Sequence, residues 1–156
     1  MLRVRSASSY QDESLPASIR DNELRFDQTI GPIRFTKLES DYYLSSYSAR
    51  FESRAFDDFD ADACLIIRDP NSFGARIVKA FEAVMPGWEN TFGAASYVDP
   101  LRAPLCDDIR FAKHFRYAYQ AEARFVWTPL KPVARLQHHV ELELGDLSSF
   151  CELIAL

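Results

Sequence analysis

The segment "DPNSFGARIVKAFEAVMPGW", residues 69–88, constrains this chain more than any other stretch. Phe73, Ile77, Phe81 and Val84 recur at i, i+4, i+8 and i+11, which draws one apolar stripe along a helix. Asn71 or Ser72 is placed to cap it, and Pro86-Gly87 ends it. A helix with a single stripe has to lay that stripe on something. The rest of the chain offers mostly strand-length apolar runs, so the partner is expected to be a sheet.

Those runs are "LRVRS" (2–6), "LRF" (24–26), "IRFTKL" (33–38), "YYLSSYS" (42–48), "ACLIIRD" (63–69), "TFGAASYVD" (91–99), "EARFVW" (122–127) and "HHVELEL" (138–144), with "FCELIAL" (150–156) as a last strand or buried tail. The turn signal "IGP" separates the two runs at 24–38. "ACLIIRD" reads as the clearest buried strand. A short helix is expected over 49–59, where Phe51, Ala55 and Phe59 have helical spacing. A longer one is expected over 106–120, with Asp107 and Asp108 favourable at its start. The polar stretch 7–22 reads as a loop or mobile arm, and Pro129 and Pro132 as breaks. The resulting fold class is α+β: a single domain over 1–156, with a mainly antiparallel, possibly split sheet and two or three helices.

The 156 residues suit one core. Twelve Phe, seven Tyr and two Trp favour strands, and only five Gly leave no Gly-rich phosphate loop. The net charge of −5 argues against a general nucleic-acid binder. No C-x-x-C occurs, and Cys64 and Cys151 read as small buried hydrophobes, which suits a reducing, cytoplasmic setting. The N-terminus lacks the apolar core of a signal peptide, and no run approaches the roughly 20 apolar residues of a membrane helix. Delivery into a host cell by a phage or a secretion apparatus stays open.

Gln120 and Glu122 stand between aromatic and aliphatic neighbours in "FRYAYQAEARFVW". On one strand, i and i+2 project to the same side, so the pair is expected to enter a cleft together or to be satisfied by partners. In a cleft, Glu122 can accept from a ribose hydroxyl and stabilise charge on an anomeric carbon. Otherwise Glu122 pairs with Arg124 or Arg116, and Gln120 is a solvated helix end. Ser46 and Ser48 share one side of their strand, with Tyr47 between them. Arg3, Arg5 and Arg34 are candidate phosphate contacts. "DDFDAD" has the 1, 3, 5 spacing of a cation loop, but Ala63 stands where such loops need glycine, so it reads as a solvated acidic turn. His138 and His139 are adjacent, and no metal site is expected.

The order of an early arginine, "YLSSYS" and "YQAEARF" resembles the Arg…Ser-x-Ser…Gln/Glu-x-Glu order of toxin-type mono-ADP-ribosyltransferases, and the Q-x-E form is similar to that of the Rho-modifying bacterial exoenzymes. Residues 40–127 also resemble a bacterial and phage family of unassigned function in which a serine strand and a hydrophobic strand are followed by a K…Y-x-x-E-x-R element, here Lys113, Tyr119, Glu122 and Arg124. The transferase resemblance implies NAD as substrate and a protein as target. It implies Glu122 as the catalytic carboxylate, Gln120 as the acceptor-side residue, Ser46, Ser48 and Tyr47 around the cofactor, and Arg5 on its phosphates. The competing reading is a non-catalytic acidic inhibitor, of the anti-defence or immunity type, that offers "DDFDAD" to a basic protein partner.

Overall fold

A computed structural model describes residues 1–15, 24–102, 104–131, 133 and 135–155. The residues of the 7–22 stretch from 16 onward, Pro132 and Leu156 lie outside it. Five strands make the main sheet, in the order β10-β1-β4-β9-β6. They are β1 (Leu2–Ser6), β4 (Tyr43–Ser48), β6 (Trp88–Ala94), β9 (Glu122–Pro129) and β10 (His139–Leu142). Every neighbouring pair is antiparallel. Three two-stranded pieces surround it. β2 (Arg25–Ile30) pairs with β3 (Ile33–Leu38), and β5 (Ala63–Ile67) with β11 (Cys151–Ala155), both antiparallel; β7 (Ser96–Val98) runs parallel to β8 (Ala112–His114). The protein is a single-domain α+β fold with mainly antiparallel sheets, as its patterning predicts.

Helix α2 (Pro70–Val84) lies on one face of the sheet. Phe73, Ile77 and Phe81 are buried against Val4, Tyr43, Phe125, Trp127 and Leu142. Phe81 stacks on Trp127 with ring centroids 4.5 Å apart and meets Tyr43 edge-on. The N-cap is Asp69 rather than Asn71 or Ser72: its carboxylate accepts from the amides of both, at 3.0 and 3.1 Å, with Pro70 in the first turn. Val84 drops out of the stripe and is 51 % exposed, because the chain leaves the sheet at Pro86-Gly87. Gly87, at φ 82, takes the left-handed turn into β6.

The second face is covered by irregular chain. Ala7–Gln11 forms a 3-10 turn with Ala7 and Ser9 buried, so the start of the expected arm is docked on the sheet beside Tyr42, Leu44 and Val126. The helix expected over 106–120 is not formed. Residues 106–111 are irregular, 112–114 are β8, and Phe115–Gln120 is a 3-10 turn. Asp108 accepts from its neighbour Arg110 at both the backbone amide and Nε, which ties the chain into a local turn instead of a helix start. The other short helix is trimmed to α1 (Arg54–Phe59). "ACLIIRD" is also reassigned: β5 lies outside the main sheet, and Leu65 is 47 % exposed.

Candidate functional site

Glu122 opens β9 opposite Ser48, with Arg124 opposite Ser46. These four positions share the sheet face turned away from α2. Ser46 Oγ donates to Glu122 Oε1 at 2.7 Å, and Arg124 Nε donates to the same oxygen at 2.6 Å. Lys113 Nζ, carried in by β8, pairs with Oε2. Arg124 Nη1 also donates to the carbonyl of Arg110 at 2.7 Å, and the Glu122 amide donates to the Tyr97 hydroxyl at 2.7 Å. Glu122, Arg124 and Lys113 are 6 %, 1 % and 9 % exposed. Burial alone would raise the pKa of this carboxyl. The charges of Arg124 and Lys113 outweigh burial and, with bonds from Lys113 and Ser46, bring it down to about 2. The group is a fixed anion held by two cations and a hydroxyl.

Gln120 does not share a strand with Glu122. It ends the 3-10 turn, and Ala121 between them has φ 42, which breaks the alternation. Gln120 is buried, its amide donates to the Tyr119 hydroxyl at 3.3 Å, and its carbonyl accepts from Ser48 Oγ at 2.7 Å. Ser48 thus binds backbone, while Ser46 binds Glu122. Tyr47 points to the α2 side, edge-on to Phe73 and Phe125. Burial, partly offset by the hydroxyl of Ser45, pushes its phenol up to about 12. Arg5 lies on β1 opposite Leu44, and among the described residues no hydrogen bond or ion pair joins it to Glu122. Of the six predicted site residues, the structure brings Glu122, Ser46, Ser48 and Gln120 together, and sets Tyr47 on the other face and Arg5 apart. Lys113 has no place among the predicted site residues, since it falls within the expected helix, although it is the lysine of the K…Y-x-x-E-x-R element. Arg124 was legible as the i+2 cation.

A hollow lies on the other face. A cleft of about 820 Å³ opens between the end of β4, α1, β5, the start of α2 and β6. Phe51, Phe56, Phe59, Phe73, Phe92 and Phe125 give it an aromatic wall. Phe51 and Phe92 are 70 % and 58 % exposed. Ala123 and Phe125 face this cleft, whereas Glu122 and Arg124, one residue out of phase on the same strand, do not line it. The cleft has acidic groups beside it. Asp57, Asp60 and Asp62 of "DDFDAD" are exposed, with Glu52 at the rim. Asp58 is spent inside the molecule, paired with Arg54 and hydrogen-bonded by the Tyr119 hydroxyl. Arg54 covers the Tyr119 ring at 4.5 Å, so this knot fastens α1 to the 3-10 turn before β9.

Among the described residues no three His, Cys, Asp or Glu side chains gather as a metal-holding group, and no helix is long and apolar enough to cross a membrane. Comparison of the chain with family models, curated proteins and solved structures finds no match in any of the three.

Proposed function

We propose that this chain is a non-catalytic protein-binding module that holds a partner in the aromatic cleft beside α1. The observation that supports this reading is the segregation of the two faces. The aromatic cleft is mainly apolar with acidic groups beside it, and among the described residues that line it no hydrogen bond joins a nucleophile to a base. Glu122, the buried carboxylate on which the transferase resemblance depends, sits on the opposite face with its charge matched by Arg124 and Lys113. An exposed apolar patch of this kind marks an interaction site, and Asp57, Asp60 and Asp62 give it a preference for basic partners.

A second reading, NAD-dependent ADP-ribosyl transfer to a protein, draws support from one contact. Ser46 Oγ holds Glu122 Oε1 at 2.7 Å, as the resemblance to the transferases implies for a serine supporting a catalytic acid. In that reading Lys113 or Arg124 has to release the carboxylate before it can meet a ribose. The two readings part in one experiment: wild type and Glu122→Gln are incubated with NAD, and free nicotinamide is measured. The binding module leaves NAD intact in both. Nicotinamide release by wild type that Glu122→Gln abolishes would overturn it in favour of the transferase. A positive test pairs with this. Phe51→Ser and Phe59→Ser, both at exposed cleft residues, are expected to lower affinity for a purified partner at least tenfold without loss of fold.

A further inference from the structure

The edge of the main sheet bears on what kind of partner the cleft receives. Among the described residues β6 pairs only with β9. In its register, Ala95 N–H donates to the carbonyl of Glu122 and the Gly87 carbonyl accepts from Leu130 N–H, so residues 87, 89, 91, 93 and 95 direct their backbone groups at β9. By alternation, Trp88, Asn90, Phe92 and Ala94 direct theirs outward. Among the described residues no backbone group receives or supplies a bond there. The strand "WENTFGA" has few of the devices that usually blunt an edge: it has no proline, no lysine and no bulge in its pairing, and Glu89 is its single charge.

A trough runs above this edge. α2 covers β4 and β9 and meets β6 at its start, where Phe81 lies edge-on to Trp88; further along β6, Phe92 is 58 % exposed while its ring rests on Phe125 at 4.5 Å. Along the uncovered flank of α2, a hollow of about 660 Å³ is lined by Gly74, Ala75, Val78, Ala83 and Phe125. It shares Gly74 and Phe125 with the aromatic cleft, so the two are continuous. A strand added outside β6 would turn alternate side chains, those opposite Asn90 and Phe92, toward this trough. The charges differ at its two ends: Lys79 and Glu82 offset each other on the flank of α2, while beyond Phe92 the acids Glu52, Asp57 and Asp60 outnumber Arg50.

From the free edge, the trough above it and the acidic end beside α1, we infer that the site takes an extended segment of a partner protein by strand addition to β6. The segment carries apolar residues at alternate positions and Lys or Arg at the end that lies toward α1. Only an extended chain satisfies a row of outward N–H and C=O groups, and the trough reads every second side chain. A second copy of this chain would bring its own acidic rim to the same place, so charge favours a basic partner over self-association. This inference rests on the binding reading and specifies it.

The test uses the full chain. A random decapeptide display library is selected against the immobilised protein, and an enriched peptide is titrated into ¹⁵N-labelled wild type while amide hydrogen exchange is followed. Strand addition predicts enrichment of alternating apolar residues with one basic end. It predicts that exchange slows at least tenfold at Asn90, Phe92 and Ala94, with Thr91 and Gly93 protected before and after. Ala94→Pro, at an exposed residue, removes one outward donor and is expected to weaken the peptide at least tenfold. Phe92→Ser should do the same by opening the trough. Peptides that bind without protecting those amides, and bind Ala94→Pro like wild type, overturn strand addition while leaving the cleft as a binding site. Failure to enrich any peptide removes both. A dimer in sedimentation that Ala94→Pro returns to monomer makes the occupant a second copy and overturns the partner form.

Discussion

At the residue scale, the burial of Glu122 has a calculable consequence. A buried carboxylate flanked by two cations is stable as a set and unstable when one member is removed. Glu122→Gln leaves Arg124 and Lys113 facing each other without an anion, and is expected to cost about 3–5 kcal/mol in urea unfolding at neutral pH. Acid should do the same without mutation. The folded-state value of about 2 lies below the ordinary 4.5, so this group's contribution is complete above about pH 4.5 and disappears as pH falls through 2. At about 1.4 kcal/mol per pH unit, that difference is roughly 3 kcal/mol. Unfolding curves between pH 5 and pH 2 should therefore converge for wild type and Glu122→Gln. Curves that stay parallel would show that the charge is not matched in the way described. The sequence carried half of this site. Arg124 follows Glu122 by two residues on a strand and so had to share its face. Lys113 comes from a segment whose local pattern reads as helix, and only the parallel pairing of β7 with β8 delivers it to Oε2.

At the scale of elements, legibility followed the strength of local signals. Helix α2 was readable because three apolar positions, a proline at the start and Pro86-Gly87 at the end all agree. Its stability should reflect both cap and stripe. Asp69→Ala removes acceptors for two amides and is expected to cost about 1 kcal/mol. Phe81→Ala empties the space between Trp127, Tyr43 and Trp88 and is expected to cost about 3–5 kcal/mol. Thermal or urea unfolding of both variants checks the ranking, and equal losses would contradict the packing. The segment 106–120 misled because its spacing suits a helix while its side chains bond their own backbone. Asp108 holds Arg110, and His114 Nδ1 accepts from the Arg116 amide to start the 3-10 turn. β5 misled for another reason: "ACLII" is apolar enough for a central strand, yet it pairs with the chain's last strand in a ribbon that leaves Leu65 in solvent.

At the scale of the whole molecule, the cleft was out of reach of local reading, because its wall is assembled from residues 47–74, 92 and 123–125, brought together only by the β4-β9-β6 pairing. Its acidity was partly legible in "DDFDAD", and the structure subtracts Asp58, which is paired inside. What remains sets a kinetic expectation. Asp57, Asp60 and Asp62 are exposed, so each interacts with a partner through water and is screened over about 8–10 Å at physiological salt. Charges of this kind steer encounter more than they hold a complex. Replacing all three by Asn should therefore slow association with a basic partner peptide by roughly three- to tenfold at 50 mM salt, with dissociation nearly unchanged, and the difference should vanish near 1 M salt, where the screening length is about 3 Å. Surface plasmon resonance at both salt concentrations separates the two rates. Should the triple variant instead dissociate faster with unaltered association, the aspartates would be gripping the partner directly, and the aromatic cleft would no longer be the main holding surface.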